Sequence, residues 1–144
     1  MEIINKRAKF DYEFIDKYQA GIVLKGTEIK SLNSGKASIA EAHIYISDKN
    51  EAFIKNMYIA KHEQAGANNH IELRDRKLLL NKDEISKILK AVKDNGITIV
   101  PIRMYRNNNI HYKIDIAVSR GKKNYDKKQI IKERDIKRDT DRNG

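Results

Sequence analysis

The chain has 144 residues, a formal net charge of +10, 40% hydrophobic and 35% charged residues, and no cysteine. That length supports one domain with a real core plus appendages, and it is too short for two domains unless both are minimal. The lack of cysteine excludes disulfides and thiolate zinc sites, while the surplus of positive charge calls for a polyanionic partner.

In chain order, the opening MEIINKRAKF lacks the apolar stretch of a signal peptide and carries the polar, basic triplet Asn5, Lys6 and Arg7. No later apolar run approaches the ~18–20 residues of a spanning helix, so a cytoplasmic chain without a membrane partner is expected. AGIVL (20–24) reads as a strand, and TEIKSLNSG as a short helix that stops at Gly35, flanked by the basic residues Lys30 and Lys36. HIYIS (43–47) and EAFIKNMYI (51–59) read as strands. Residues 60–75 form a long polar segment, of the kind that is usually functional or mobile. Arg74, Arg76 and Lys77 then lead into the strand RKLLL (76–80).

NKDEISKILKAVKDNG specifies a helix. Asn81 caps it, Glu84 completes a capping box, Ile85, Ile88, Leu89 and Val92 make one apolar stripe, and Asn95-Gly96 supplies a stop. ITIVPIRMY and IHYKIDIAVSR follow as strands, joined through Asn107-Asn108-Asn109 in a predicted hairpin. In the second, Ile110, Tyr112, Ile114, Ile116 and Val118 alternate with His111, Lys113, Asp115, Ala117 and Ser119, the signature of a strand buried on one face. Five or six strands in so small a domain favour a closed barrel, because closure removes exposed edges.

Familiar chemical sites fail on spacing. His43, His62, His70 and His111 match no zinc module, and the two in the 60–75 loop read as histidines without partners. Gly21 and Gly26 have the separation of a phosphate loop, but Thr27-Glu28 stands where the lysine belongs, and a carboxylate repels phosphate. With no thiol and no paired-carboxylate pattern, nothing calls for an enzyme, a metal or another cofactor. If the barrel gathers the basic residues, they form a phosphate-tracking face; otherwise they are a solvated surface. Tyr18, Tyr45 and Tyr58 could stack on bases, although strand tyrosines are more often half-buried core.

From residue 121 the chain reads GKKNYDKKQIIKERD onward, with nine Lys or Arg and five acids, a surplus of +4. Its apolar residues, Tyr125, Ile130, Ile131 and Ile136, share no helical stripe, so docking on the barrel is not expected. Asp126 and Gln129 can form a capping box. The expectation is two parts: residues 1–120 as the barrel, and 121–144 as a tail that is disordered when free and becomes helical from about residue 127 when a nucleic acid surrounds it.

Five segments, GTEIKSLNSGKASI, EAFIKNMYI, DRKLLLNKDEI, GITIVPIRMY and RGKKNYDKKQIIKERD, together resemble the small protein B family, the SsrA-binding proteins of bacterial trans-translation. The resemblance runs from about Asn5 to about Arg138. It implies a mainly β fold, a barrel related to the OB-fold with two or three helices and a basic C-terminal tail. It also implies a monomer that is not an enzyme, binds the tRNA-like domain of transfer-messenger RNA (tmRNA) and delivers it to stalled ribosomes. Elongation factor Tu and alanyl-tRNA synthetase would be partners through the RNA.

By the same resemblance, Asn5, Lys6, Arg7, Gln19, Glu28, Lys30, Lys36, Arg76, Lys77 and Leu79 are RNA-binding positions. Gln19 stands where the family usually has glutamate, and Asn33 where arginine is common. Gly121, Lys122, Lys123, Tyr125, Asp126, Lys127, Lys128, Ile131, Lys132 and Arg134 are expected to act in the ribosomal decoding centre, with Lys128 in place of an arginine. The competing reading is a different OB-fold RNA-binding component of the translation machinery.

Overall fold

A computed structural model describes residues 2–62, 66–107 and 111–122. Strand β1 (Glu2–Ile4) and the one-turn helix α1 (Ala8–Asp11) precede the long β2 (Tyr12–Ile22). Helix α2 (Gly26–Asn33), β3 (Ala37–Ser38), β4 (His43–Ile46), β5 (Ala52–Lys55) and β6 (Tyr58–Ile59) follow. After them come β7 (Arg76–Leu79), α3 (Lys82–Ala91), β8 (Ile97–Asn107) and β9 (His111–Gly121).

Seven strands run in the order β1-β8-β4-β5-β7-β2-β9, and β8 also pairs with β9, so all but β1 form a closed antiparallel ring. β1 extends the sheet along the part of β8 that continues beyond β4. β3 and β6 form a separate two-stranded ribbon. Among the described residues the fold is a mainly β barrel with three helices, and its closure is the architecture expected from the strand count.

The alternation in β9 sets the inside. Tyr112, Ile114, Ile116 and Val118 point into a core shared with Ala20 and Ile22 of β2, Ile44 and Ile54 of β4 and β5, Leu78 of β7 and Met104 of β8. Leu32 of α2 and Ile88 of α3 join the same core. Pro101 has no N–H to give to a ladder, and the register of β8 against β9 shifts between Pro101 and Arg103. Beyond that bulge, Arg103 and Tyr105 face outward while Met104 is buried.

Several boundaries depart from the sequence reading. β2 begins eight residues before Ala20, because it zips with β9 from Tyr12 onward, with a register shift at Phe14/Asp16. EAFIKNMYI is two strands, since Asn56 adopts φ +61° and turns the chain from the barrel to the ribbon. α3 has both hydrogen bonds of its capping box, Glu84 N to Asn81 Oδ1 at 2.9 Å and Asn81 N to Glu84 Oε1 at 3.0 Å. It ends at Ala91, so Gly96 (φ +84°) serves the following turn and not the helix end. The hairpin connection at 108–110 lies outside the described residues.

Candidate nucleic-acid interface

The barrel's outer face carries a row of cross-strand partners. Leu79 of β7 pairs with Gly21 of β2, Gly21 with Lys113 of β9, Lys113 with Tyr105 of β8, and Tyr105 with Glu2 of β1. One step along, Gln19 pairs with Asp115 and Asp115 with Arg103. Cross-strand partners share a face, so these side chains form one continuous surface. Leu79 is 53% exposed, an unusual position for a leucine. A Cβ at Gly21 would stand 3.4 Å from Leu79 Cδ1, so the glycine leaves Leu79 room to lie across β2. Lys77 flanks Leu79 and meets Glu51 at 3.1 Å, both well exposed, a pair of little energetic weight.

A polar network crosses this face. The Gln19 side-chain amide donates to the Tyr105 hydroxyl, which donates to Asp115 Oδ1 at 3.2 Å. Arg103 Nε donates to Asp115 Oδ2 at 2.9 Å, and its Nη1 to Glu2 Oε2 at 2.6 Å. The same guanidinium lies 4.2 Å from the centre of the Tyr105 ring. Hydrogen bonds to Glu2 and Asp115 raise the Arg103 pKa further, so it is a permanent cation.

At another edge, Asn5, Lys6 and Arg7 connect β1 to α1. Lys6 and Arg7 are exposed, while Asn5 is buried: its N–H donates to Ile102 O at 2.8 Å and its side-chain amide to Pro101 O at 3.0 Å. Asn5 is thus a fastener of the N-terminal segment to β8. Gly121 and Lys122 leave the barrel beside α1. The Lys122 N–H donates to Asp11 O at 3.0 Å and its Nζ to Lys9 O at 2.7 Å.

Lys30 and Lys36 are exposed in and just after α2. The Asn33 side-chain oxygen accepts from Tyr112 Oη at 2.7 Å and from Arg106 Nη1 at 3.2 Å. A guanidinium therefore does stand at Asn33, supplied from β8.

Like Asn5, two further sequence-predicted RNA positions, Glu28 and Arg76, are buried and misplaced as contacts. Both are 0% exposed and form a buried cluster with Arg74. Glu28 Oε2 accepts from Arg76 Nε at 2.7 Å, and Oε1 from Arg74 Nη2 at 2.7 Å and from the Lys25 N–H at 2.8 Å. Arg76 also donates to Met57 O at 2.6 Å, Glu72 O at 3.1 Å and Ile71 O at 3.5 Å. Burial alone would raise the Glu28 carboxyl. Hydrogen bonds from Arg74, the Lys25 amide and Arg76, with the Arg76 charge, outweigh it and hold the pKa at about 2. Burial lowers the Arg76 pKa, and Glu28 opposes that. The cluster ties the start of α2 to β7 and the 69–75 loop, and neither Glu28 nor Arg76 is exposed on the barrel's surface.

His70 corrects a second reading. It is buried, with Nδ1 2.8 Å from Thr27 Oγ1 and Nε2 3.0 Å from Ile59 O, so it pins the polar loop to α2 and is not a histidine without partners. Among the described residues no cluster of His, Asp or Glu could hold a metal. Of the tyrosines considered for stacking, Tyr18 packs on the core, Tyr45 stacks on Phe53 and donates to Asp75, and Tyr58 is exposed. Tyr105, Arg103 and Lys113 join the outer face although the sequence does not single them out. Lys113 stands on the polar half of its strand's alternation, but the bulge after Pro101 hides Tyr105. Lys123, Tyr125, Asp126, Lys127, Lys128, Ile131, Lys132 and Arg134 lie outside the described residues.

The model of the family described as SmpB protein matches residues 2–144. An SsrA-binding protein from Bacteroides thetaiotaomicron is 51% identical over 139 residues, 96% of this chain and 92% of the relative. One from Listeria welshimeri is 44% identical over 138 residues, covering 96% and 88%. A chain from the solved structure described as "tmRNA-SmpB: a journey to the center of the bacterial ribosome" superposes with a TM-score of 0.70 at 40% identity, covering 84% of each chain. With the motifs, the barrel and these likenesses in agreement along nearly its whole length, the chain belongs to the SmpB family of SsrA-binding proteins.

Proposed function

We propose that this chain binds tmRNA and delivers its tRNA-like domain to stalled ribosomes for trans-translation. The observation that carries the site is the outer face on which β2, β7 and β9 bring Gln19, Leu79, Lys77 and Lys113 together, two of them charge carriers and one an exposed leucine. Lysines neutralise phosphates, and an exposed apolar side chain packs against a ribose or an unstacked base. Lys6, Arg7, Lys30 and Lys36 add further phosphate contacts around the barrel.

In this reading the segment from Gly121 onward is the ribosomal part. Lys122, pinned beside α1, fixes where it departs, and Lys123, Tyr125, Asp126, Lys127, Lys128, Ile131, Lys132 and Arg134 act in the decoding centre. The protein works in the cytoplasm as a monomer and performs no catalysis itself. Alanyl-tRNA synthetase and elongation factor Tu act on the same RNA and supply the chemistry.

Titrating the isolated tRNA-like domain at several salt concentrations tests the face. Lys113→Gln should weaken binding and make the slope of log K against log[salt] shallower by about one. Leu79→Ala should weaken binding with the slope unchanged, because no counterion release is lost. Equal slopes for the wild type and Lys113→Gln would remove Lys113 from the phosphate contacts.

A further inference from the structure

On the outer face, Gln19, Tyr105, Asp115 and Arg103 are joined in a directed chain of hydrogen bonds. Its direction follows from one end. Asp115, a carboxylate that takes the Arg103 Nε proton at 2.9 Å, serves as the acceptor. The Tyr105 hydroxyl, 3.2 Å from Asp115 Oδ1, therefore sends its single proton to the carboxylate and offers its oxygen to Gln19. The Gln19 group facing that oxygen must be the NH₂, which turns the amide carbonyl away from the network and outward. A glutamate at this position could not donate, and two carboxylates would compete for the one tyrosine proton. The glutamine at 19 is thus matched to an aspartate one strand away.

Resting on the proposed tmRNA-binding role of this face, we propose that Tyr105 and Asp115 are positioning residues for the RNA contact at Gln19. They fix its carbonyl oxygen outward, so that the site takes a hydrogen-bond donor of the RNA, a 2′-hydroxyl or an exocyclic amine. The network does not hold the barrel together, since exposed and half-buried surface bonds of this kind contribute little to stability. Its consequence is in affinity.

The test is a set of double-mutant comparisons on affinity for the tRNA-like domain of tmRNA, with melting temperatures measured in parallel. Gln19→Glu and Asp115→Asn should each weaken binding, by about fivefold to tenfold, a scale set by one hydrogen bond. Combined, they should restore binding to near wild type. The carboxylate introduced at position 19 then accepts the tyrosine proton, and the amide introduced at position 115 donates to the tyrosine oxygen while accepting from Arg103. The outward oxygen at position 19 is thereby regained. In a Tyr105→Phe background this rescue should vanish, with melting temperatures little changed throughout. Additive losses, or rescue that persists without the hydroxyl, would overturn the proposal. If the wild type fails to prefer the tRNA-like domain over an unrelated hairpin, the proposed function itself fails, whatever the cycle shows.

Atom-by-atom substitution in the RNA separates the two donors. A position whose 2′-deoxy form weakens the wild type but not Gln19→Ala identifies a hydroxyl. A position where removing a base amine does so identifies an amine. Neither effect at any position would overturn the donor assignment.

Discussion

At the scale of single residues, Glu28 shows how a motif can be right and its role misread. The sequence places Glu28 and Lys30 in a recognisable G-x-E-x-K-S-L segment, yet Glu28 serves Arg74, Arg76 and the first turn of α2. Chain order does not reveal which charged residues a fold buries; that depends on β7 passing α2, a contact separated by 48 residues. The Glu28 pKa falls from an ordinary 4.5 to about 2 on folding. A depressed carboxylate stabilises the fold above its unfolded pKa, and that contribution drains away as pH falls from about 4.5 toward 2. A shift of this size is worth roughly 3 kcal/mol at neutral pH. Glu28→Gln should lower stability at pH 7 by about 3–5 kcal/mol, because it leaves two guanidiniums facing each other around an uncharged amide. The difference in denaturation midpoint between wild type and variant should shrink near pH ~3, inside the window in which the native carboxylate takes up its proton. RNA affinity per folded molecule should stay unchanged; a loss of affinity without a loss of stability would return Glu28 to the RNA surface.

Elements are legible in the sequence where one face is buried and the other wet. β9 and α3 follow their apolar periods closely, down to the Asn81 and Glu84 capping pair. The apolar run at 20–24 marks only the end of β2, which has eleven residues, because its first half pairs with β9 while exposing most of its side chains and so alternates weakly. β1 and α1, three and four residues long, are too short to show a period at all. The ends of β2 and β9 matter for where the tail begins. Tyr12 pairs with Gly121, Glu13 with Arg120, and Lys122 bonds to Asp11 and Lys9. A domain boundary at residue 120 would therefore cut a working strand. A chain ending at Ser119 should melt below one ending at Lys122, which should match the full chain. Identical melting curves for all three would show that the last pairs of this ribbon carry no stability.

For the whole molecule, the closed ring of strands sets Leu79, Gly21, Lys113, Tyr105 and Glu2 in one contiguous outer row, and it leaves the chain's C-terminal departure beside α1. Closure is predictable from the strand count, and the outer row from alternation once the pairing is known. The pairing itself is not, since nothing local sets β7 against β2. Under the proposed function the arrangement becomes a division of labour, with tmRNA held by the barrel and ribosomal action carried by the segment from Gly121 onward. The most direct test compares the full chain with one ending at Lys122, measuring affinity for tmRNA and tagging of stalled ribosomes on the same preparations. Retained RNA affinity with tagging abolished is the expected result; loss of RNA affinity, or tagging that continues without the tail, would contradict it.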